Sequence, residues 1–234
     1  MARLTRRTRV RTDARLLAER MAKQEAQRAG PAGNIKATRE DWLDLALETL
    51  IAEGVEGVRI LALGQKLGVS RSSFYWYFES RQDLLDQLLQ HWRDRNTRFI
   101  IERAKRPAPS ATQAVLNVFE CWVDINLFNP RLDFAIRAWA RSSTTVHEII
   151  DAADNERLAA IRDMFARYGY SDEDAFVRAR VLYFMQIGYY SLEIIEPMAN
   201  RLSLVPAYLR SFTGRDPLEG EVEAFARYVE AMSA

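Results

Sequence analysis

The stretch Arg59-Ile60-Leu61-Ala62-Leu63-Gly64-Gln65-Lys66-Leu67-Gly68-Val69-Ser70-Arg71-Ser72-Ser73-Phe74-Tyr75-Trp76-Tyr77-Phe78 places two short helical segments on either side of the turn Gly68-Val69-Ser70. The spacing predicts a brace helix over Arg59 to Leu67 and a second helix over Arg71 to Phe78. Helices that cross steeply need a small residue where their backbones approach, and Gly64 meets that need. Gly68, four residues later, tolerates the positive φ of a sharp turn. Leu61, Leu67, Val69 and Phe74 can fill the small core between the two helices. Ser70 is a suitable N-cap, which leaves Arg71, Ser72 and Ser73 at the end that would meet base edges. This is the pattern of a DNA-reading helix-turn-helix, and also that of an ordinary helical hairpin inside a bundle.

Apolar residues recur at helical spacing on both sides of this unit, and hairpin turn signals are absent, so the fold class expected is all-α. Thr38 with Asp41 forms a capping signature for a helix whose stripe is Leu43, Ala46, Leu47, Leu50 and Ile51, ended by Gly54 and Gly57. Ser80 with Asp83 opens a longer helix with Leu85, Leu88, Leu89 and Trp92 on one face. Further helices are expected over Ser110 to Phe128, Arg131 to Ser143, Thr145 to Tyr168, Asp172 to Ile195 and Leu218 to Met232. The segment from Pro197 to Pro217 reads as a loop region.

Charge divides the chain of 234 residues into three parts. Residues 1–36 carry 10 Lys and Arg against 3 acids, residues 37–106 carry 11 against 11, and residues 107–234 carry 12 against 18. A basic extension on an acidic body is the asymmetry of a chain that meets a polyanion at one end, although a solvated tail has the same composition. The domain expectation is therefore a basic extension over 1–36, a helix-turn-helix domain over 37–90 and a helical effector-binding and dimerisation domain over 91–234. The one cysteine, Cys121, and the Arg-rich start favour a reducing cytoplasm. Val181 to Ile195, the longest apolar stretch, contains Gln186 and Glu193 and falls short of a membrane span.

The run from Leu67 to Phe78, with Arg81, Leu84 and Leu85 after it, resembles the N-terminal domain of the TetR-type family of bacterial repressors. The resemblance covers about Thr38 to Leu89. Residues 90–234 match only in helix content and length. Two positions depart from the family's pattern: Gly64 stands where Ala is common, and Tyr77 where His is frequent. The resemblance implies that Arg71, Ser72, Ser73 and Trp76 face bases or deoxyribose. It implies that Tyr75 and Tyr77 hold phosphates, joined by Thr38, Arg39, Arg59 and Arg81. Trp76 has the alternative of a core position. The basic extension could follow the adjacent minor groove.

In the body, Val181 to Ile195 is apolar nearly all round and must be covered on more than one side. The last helix offers the stripe Leu218, Val222, Phe225, Ala226 and Val229. With Ile194, these residues suggest a homodimer interface of the kind the resemblance implies, which would set two recognition helices on a near-palindromic double-stranded DNA operator. The alternative is that both helices complete the monomer core. Phe119, Trp122, Phe134, Trp139, Tyr183 and Tyr189 exceed what a small bundle core needs, and with Asn126 and Gln186 they have the composition of a small-molecule site. Arg137 and Arg141 could meet an anion, while Asp133 and Arg137 also read as an i,i+4 surface pair. The function expected is a transcriptional regulator, most simply a repressor, released by an apolar or aromatic effector.

Rival classes have weaker anchors. The chain lacks GxxxxGK, GxGxxG after a strand, HExxH and CxxC patterns, so no catalytic residue, metal site or cofactor is expected. His147 lies near Glu148 and Asp151, but this spacing is more simply a solvated helix face, and Cys121 reads as a small buried residue. A DNA-binding protein without an effector, architectural or partner-controlled, is the remaining alternative; it requires a filled body core.

Overall fold

The structure, a computed structural model, describes residues 37–232, and the basic extension over 1–36 lies outside them. Helix α1 (Arg39–Glu53) begins as its sequence dictates: Thr38 accepts from the Asp41 N–H at 3.1 Å while Asp41 accepts from the Thr38 N–H at 2.8 Å, a reciprocal capping box. A 3-10 turn over Val55–Gly57 leads to α2 (Ile60–Leu67) and α3 (Arg71–Phe74). Then come α4 (Arg81–Trp92), a π-helical turn over Arg93–Thr97, and α5 (Arg98–Lys105). The body adds α6 (Ala111–Val123), α7 (Pro130–Ala140), α8 (Thr144–Ala166), α9 (Asp172–Ser191), α10 (Met198–Thr213) and α11 (Glu221–Ala231). Among the described residues there is no strand, and no helix is long and apolar enough to cross a membrane.

Two apolar cores organise these helices. The first joins Trp42, Ala46, Leu50, Leu63, Phe74, Phe78, Leu84, Leu88 and Trp92 to Leu132, Ile136 and Trp139 of α7 and to Val146 and Ile150 of α8. The second holds Val115, Phe119, Trp122, Phe165, Leu182, Leu209, Phe212, Phe225 and Val229. The helix-turn-helix unit is thus not packed on its own, because α7 and the start of α8 complete its core.

The turn geometry follows from its glycines. Gly68 adopts φ 70, ψ 25 and closes α2 through N–H bonds to the Gln65 and Gly64 carbonyls. A Cβ on Gly64 would stand 3.2 Å from the Val69 carbonyl oxygen and 3.4 Å from Trp42 Cη2, so a larger residue would require the turn backbone to give by a few tenths of an ångström where the helices cross. One core assignment changes: Leu61 is 61% exposed and Leu63, fully buried, fills the position instead. The two differ by half a helical turn, and the helix presents the Leu63 side to Trp42 and Phe74.

Other expectations shift in detail. Regular helix in the reading segment ends at Phe74, and Tyr75 to Tyr77 form a turn whose N–H bonds to Ser73 and Phe74 return the chain inward at Phe78. Helix α6 stops at Val123, where Asp124 begins a tight turn that brings Leu127 and Phe128 back into the core. Helix α9 stops at Ser191, with Glu193 at φ 50 just beyond. The largest difference is α10, a helix of 16 residues in the segment read as a loop. Its Val205, Leu209 and Phe212 are buried at helical spacing, and their burial, at about 1.5–3 kcal/mol each, outweighs the roughly 3 kcal/mol penalty of Pro206 within the helix.

Candidate DNA-binding face and body cleft

The reading segment is built outward from Phe74. Its ring lies edge-on to Trp42 at 5.2 Å and stacks on Phe78 at 5.0 Å, anchoring both ends of the segment in the first core. The residues between and before these anchors point away: Arg71, Ser72, Tyr75, Trp76 and Tyr77 are all exposed, and Ser73 is half-buried. Trp76 is 83% exposed, which disposes of a core role for it. Ser70 sits at the N-cap without a side-chain cap bond, because its hydroxyl pairs with that of Ser72 at 2.8 Å. Arg71 donates to the Tyr75 hydroxyl at 2.9 Å and lies over its ring, so the two side chains extend together.

The surrounding basic residues divide into two kinds. Thr38 is exposed at the start of α1, and Arg59 is exposed with its Nε donating to the Glu56 carbonyl at 2.7 Å. Arg39 reaches Gln87 and covers the Phe78 ring. Arg81 differs, being half-buried and donating to the Val58 and Val55 carbonyls at 2.6 Å each. Its guanidinium ties the turn after α1 to the start of α4, a structural task in this geometry.

The second feature is an open cleft among α6, α9, α10 and α11, holding about 530 Å³ of unfilled space with its mouth included. Of the residues expected at a ligand site, Phe119, Trp122, Gln186 and Tyr189 line it together. Asn126 is exposed in the turn after α6, Phe134 is half-buried away from the cleft, and Trp139 belongs to the first core. Tyr183 is buried one turn from Gln186, with its hydroxyl turned to Asp154 at 2.7 Å. Phe225, expected at a dimer interface, is a wall of the cleft, and Val229 is buried in the second core. Val222 packs partly buried against that core, while Ile194 and Leu218 remain exposed. The far wall, Met198, Arg201, Leu202, Val205 and Tyr208, comes from α10 and was missed with that helix. The signal was present in the spacing of Leu202, Val205, Leu209 and Phe212.

Between α7, α8 and α9 lies a buried charge cluster. Asp133 and Arg157 are fully buried; Arg137 bonds Asp133 at 2.8 Å and grips Asp154 through two bonds of 2.9 and 2.8 Å. Arg137 is therefore committed inside the protein, and its partner Asp133 is no surface residue. Among the described residues no group of three or more His, Cys, Asp or Glu is placed to hold a metal ion. His147 stands 3.4 Å from Asp151 on an exposed helix face.

A solvent-facing Arg/Ser/aromatic segment held by a small helical core, joined to a larger helical body, defines a helix-turn-helix DNA-binding architecture. The sequence profile of bacterial regulatory proteins of the tetR family matches residues 43–88. The match covers the helix-turn-helix unit, from within α1 to within α4. The chain is 34% identical over 58 residues to the uncharacterized HTH-type transcriptional regulator TtgW of Pseudomonas putida, covering 25% of this chain and 43% of that protein. It is 38% identical over 53 residues to the tetracycline repressor protein class D of Escherichia coli, covering 23% of this chain and 24% of that protein. The match thus spans less than half the length of these relatives. Over 87% of the chain and 98% of the other, the fold is similar to that of Salmonella enterica GusR, with a TM-score of 0.53 at 14% identity.

Proposed function

We propose that the protein is a transcriptional regulator that binds a near-palindromic operator as a homodimer and is released by a small molecule held in the body cleft. The observation that carries this reading is the exposure of Trp76 beside Arg71, Ser72, Tyr75 and Tyr77 on a segment anchored at both ends by Phe74 and Phe78. Large aromatics left in water without a partner mark a recognition surface. Here the neighbouring arginines and hydroxyls supply the donors that base edges and phosphates accept. Thr38, Arg39 and Arg59 add phosphate contacts; Arg81 orders the turn beneath them.

Dimerisation is supported by a different face from the α11 stripe. On α9, Phe176, Val177, Val181 and Phe184 form an exposed apolar row, with the Arg180 guanidinium lying over both phenyl rings. Gly188 continues the row, and a Cβ there would meet nothing within 4 Å. A second copy of the chain is the occupant that suits this face, since symmetry would pair the two rows and also set two reading segments on one duplex.

The test is selection of genomic fragments by the purified full-length protein. Enrichment of a near-palindrome with half-sites about one helical turn apart is the expected result. Retention of fragments without a common sequence, with a steep salt slope, would refute sequence reading.

A further inference from the structure

The cleft proposed as the effector site contains two polar groups that the protein itself leaves unanswered. Gln186 is 4% exposed, and its Nε2 makes no hydrogen bond of ordinary geometry, its near polar neighbour being the Tyr190 hydroxyl. The neighbouring Tyr190 hydroxyl is turned to the Trp122 carbonyl at 3.1 Å. A buried amide N–H without an acceptor is costly, and so marks a place where an acceptor belongs. Arg201 is half-buried, its guanidinium 5.2 Å from the centroid of the Tyr189 ring. Among the described residues it forms no ion pair. Glu196, the acid of the cleft wall, is instead engaged by the Tyr189 hydroxyl at 2.8 Å.

The remaining wall is aromatic, with the Phe119 ring centred 5.2 Å from that of Trp122 and 6.2 Å from that of Phe225. An apolar ring, a fork of donors with a fixed positive charge, and a buried N–H make one chemical requirement.

We propose that the cleft selects small arylcarboxylates, the ring lying among Phe119, Trp122 and Phe225 and the carboxylate accepting from Arg201 and from Gln186 Nε2. This rests on the effector reading and narrows it. A neutral aromatic of equal size would leave the Arg201 charge and the Gln186 N–H unpaired, and so binds more weakly. Arg201 is suited to the task because a guanidinium offers a carboxylate two parallel donors.

The experiment is calorimetric titration of the full-length protein with benzoate, phenylacetate and 3-phenylpropanoate, each against its neutral amide. The expected result is that at least one acid binds about tenfold or more tighter than its amide, a difference typical of charge-assisted pairing. Arg201→Gln should erase the preference, and Gln186→Leu should weaken the acid more than the amide, with the thermal midpoint of each variant reported to exclude misfolding. Equal affinity for acid and amide, an acid preference that survives Arg201→Gln, or no binding of any acid would overturn the inference. Operator affinity measured alongside separates it from the effector reading. An Arg201-dependent acid that leaves operator binding unchanged upholds the inference and defeats that reading. Neutral aromatics that release the operator without acid preference do the reverse.

Discussion

The indole Nε1 of Trp92 donates a 2.8 Å hydrogen bond to Asp133, 41 residues further along the chain, and both side chains are completely buried. The bond joins the end of α4, which carries the helix-turn-helix core, to α7 in the body. Arg157 of α8 lies over the Trp92 ring at 5.0 Å, donates to Asp133 at 3.3 Å, to Thr97 in the π-helical turn at 2.9 Å, and to the Tyr183 hydroxyl at 2.8 Å. Tyr183 is one helical turn from Gln186 on α9. A continuous polar chain thus runs from the DNA-binding unit to the helix that lines the cleft, the kind of physical connection through which two sites can bias one another.

Removing the carboxylate at the centre of that chain should be costly. Asp133→Asn leaves the buried Arg157 and its neighbour Arg137 to share the one carboxylate of Asp154, 3.3 Å from Arg157, and weakening a buried pair in this way costs up to about 3–5 kcal/mol. Urea denaturation should show a correspondingly lower midpoint, and Tyr183→Phe a loss of only about 1 kcal/mol. A loss below about 1 kcal/mol for Asp133→Asn would contradict the assignment of Asp133 as the charge that holds the cluster.

The same carboxylate should resist protonation. Burial alone pushes its pKa up, but the Arg157 and Arg137 charges, with bonds from Arg137 and Trp92, outweigh burial and hold it below the ordinary value. Its contribution to stability is therefore complete above the unfolded pKa of about 3.9 and is lost as pH falls towards the lower folded value. Asp83, whose pKa is lowered by bonds from Gln87 and the Glu79 N–H, acts in the same direction. The carboxyl carbon shift of Asp133 should remain that of an ionised group at about pH 3.9, where an unperturbed Asp is half protonated. Protonation there with the exposed acids would contradict this account.

Cys121 should be chemically silent in the folded protein. Its thiol is buried in the second core, and burial pushes its pKa up to about 12. At pH 8 a disulfide reagent should label it only after unfolding, at a rate that follows denaturant; immediate labelling of the native protein would show the core to be open there.

Much of this arrangement was legible in the residues. Thr38, Gly64, Gly68, Ser80 and Phe74 each have a local physical reason that a sequence displays, and the helix-turn-helix followed from them. The body was less legible because its determinants are non-local. The flanking Pro197 and Pro217 made the segment that forms α10 read as a loop, and with it hid Arg201 and the far wall of the cleft. The stripe with Phe225 and Val229 was visible, but periodicity does not say whether a stripe faces its own core or a second copy. Tyr183 looked like a ligand residue on aromatic composition; only packing revealed that its hydroxyl belongs to Asp154 and Arg157. Arg81 sits beside a reading segment in sequence, yet its donors turn inward to two carbonyls.

The exposed row on α9 gives an independent test of assembly. Val181→Glu places a charge at its centre, where Val181 is 51% exposed in the single chain. Sedimentation at micromolar concentration should show the wild type at twice 27.0 kDa and the variant at 27.0 kDa with an unchanged thermal midpoint. A wild type that sediments at 27.0 kDa would refute the homodimer, and a variant that stays dimeric would place the interface elsewhere.

The central claim is that the segment from Arg71 to Tyr77 reads sequence. The most direct measurement is the ratio of affinities for a selected genomic fragment and a scrambled one, taken by fluorescence anisotropy at one salt concentration for the wild type, Arg71→Ala and Trp76→Ala. The wild type should favour its site by about 10³-fold or more. Each variant should lose about 1–3 kcal/mol of that discrimination while its stability stays within about 0.5 kcal/mol of wild type. A wild-type ratio near one, or variants that keep the full ratio, would contradict it.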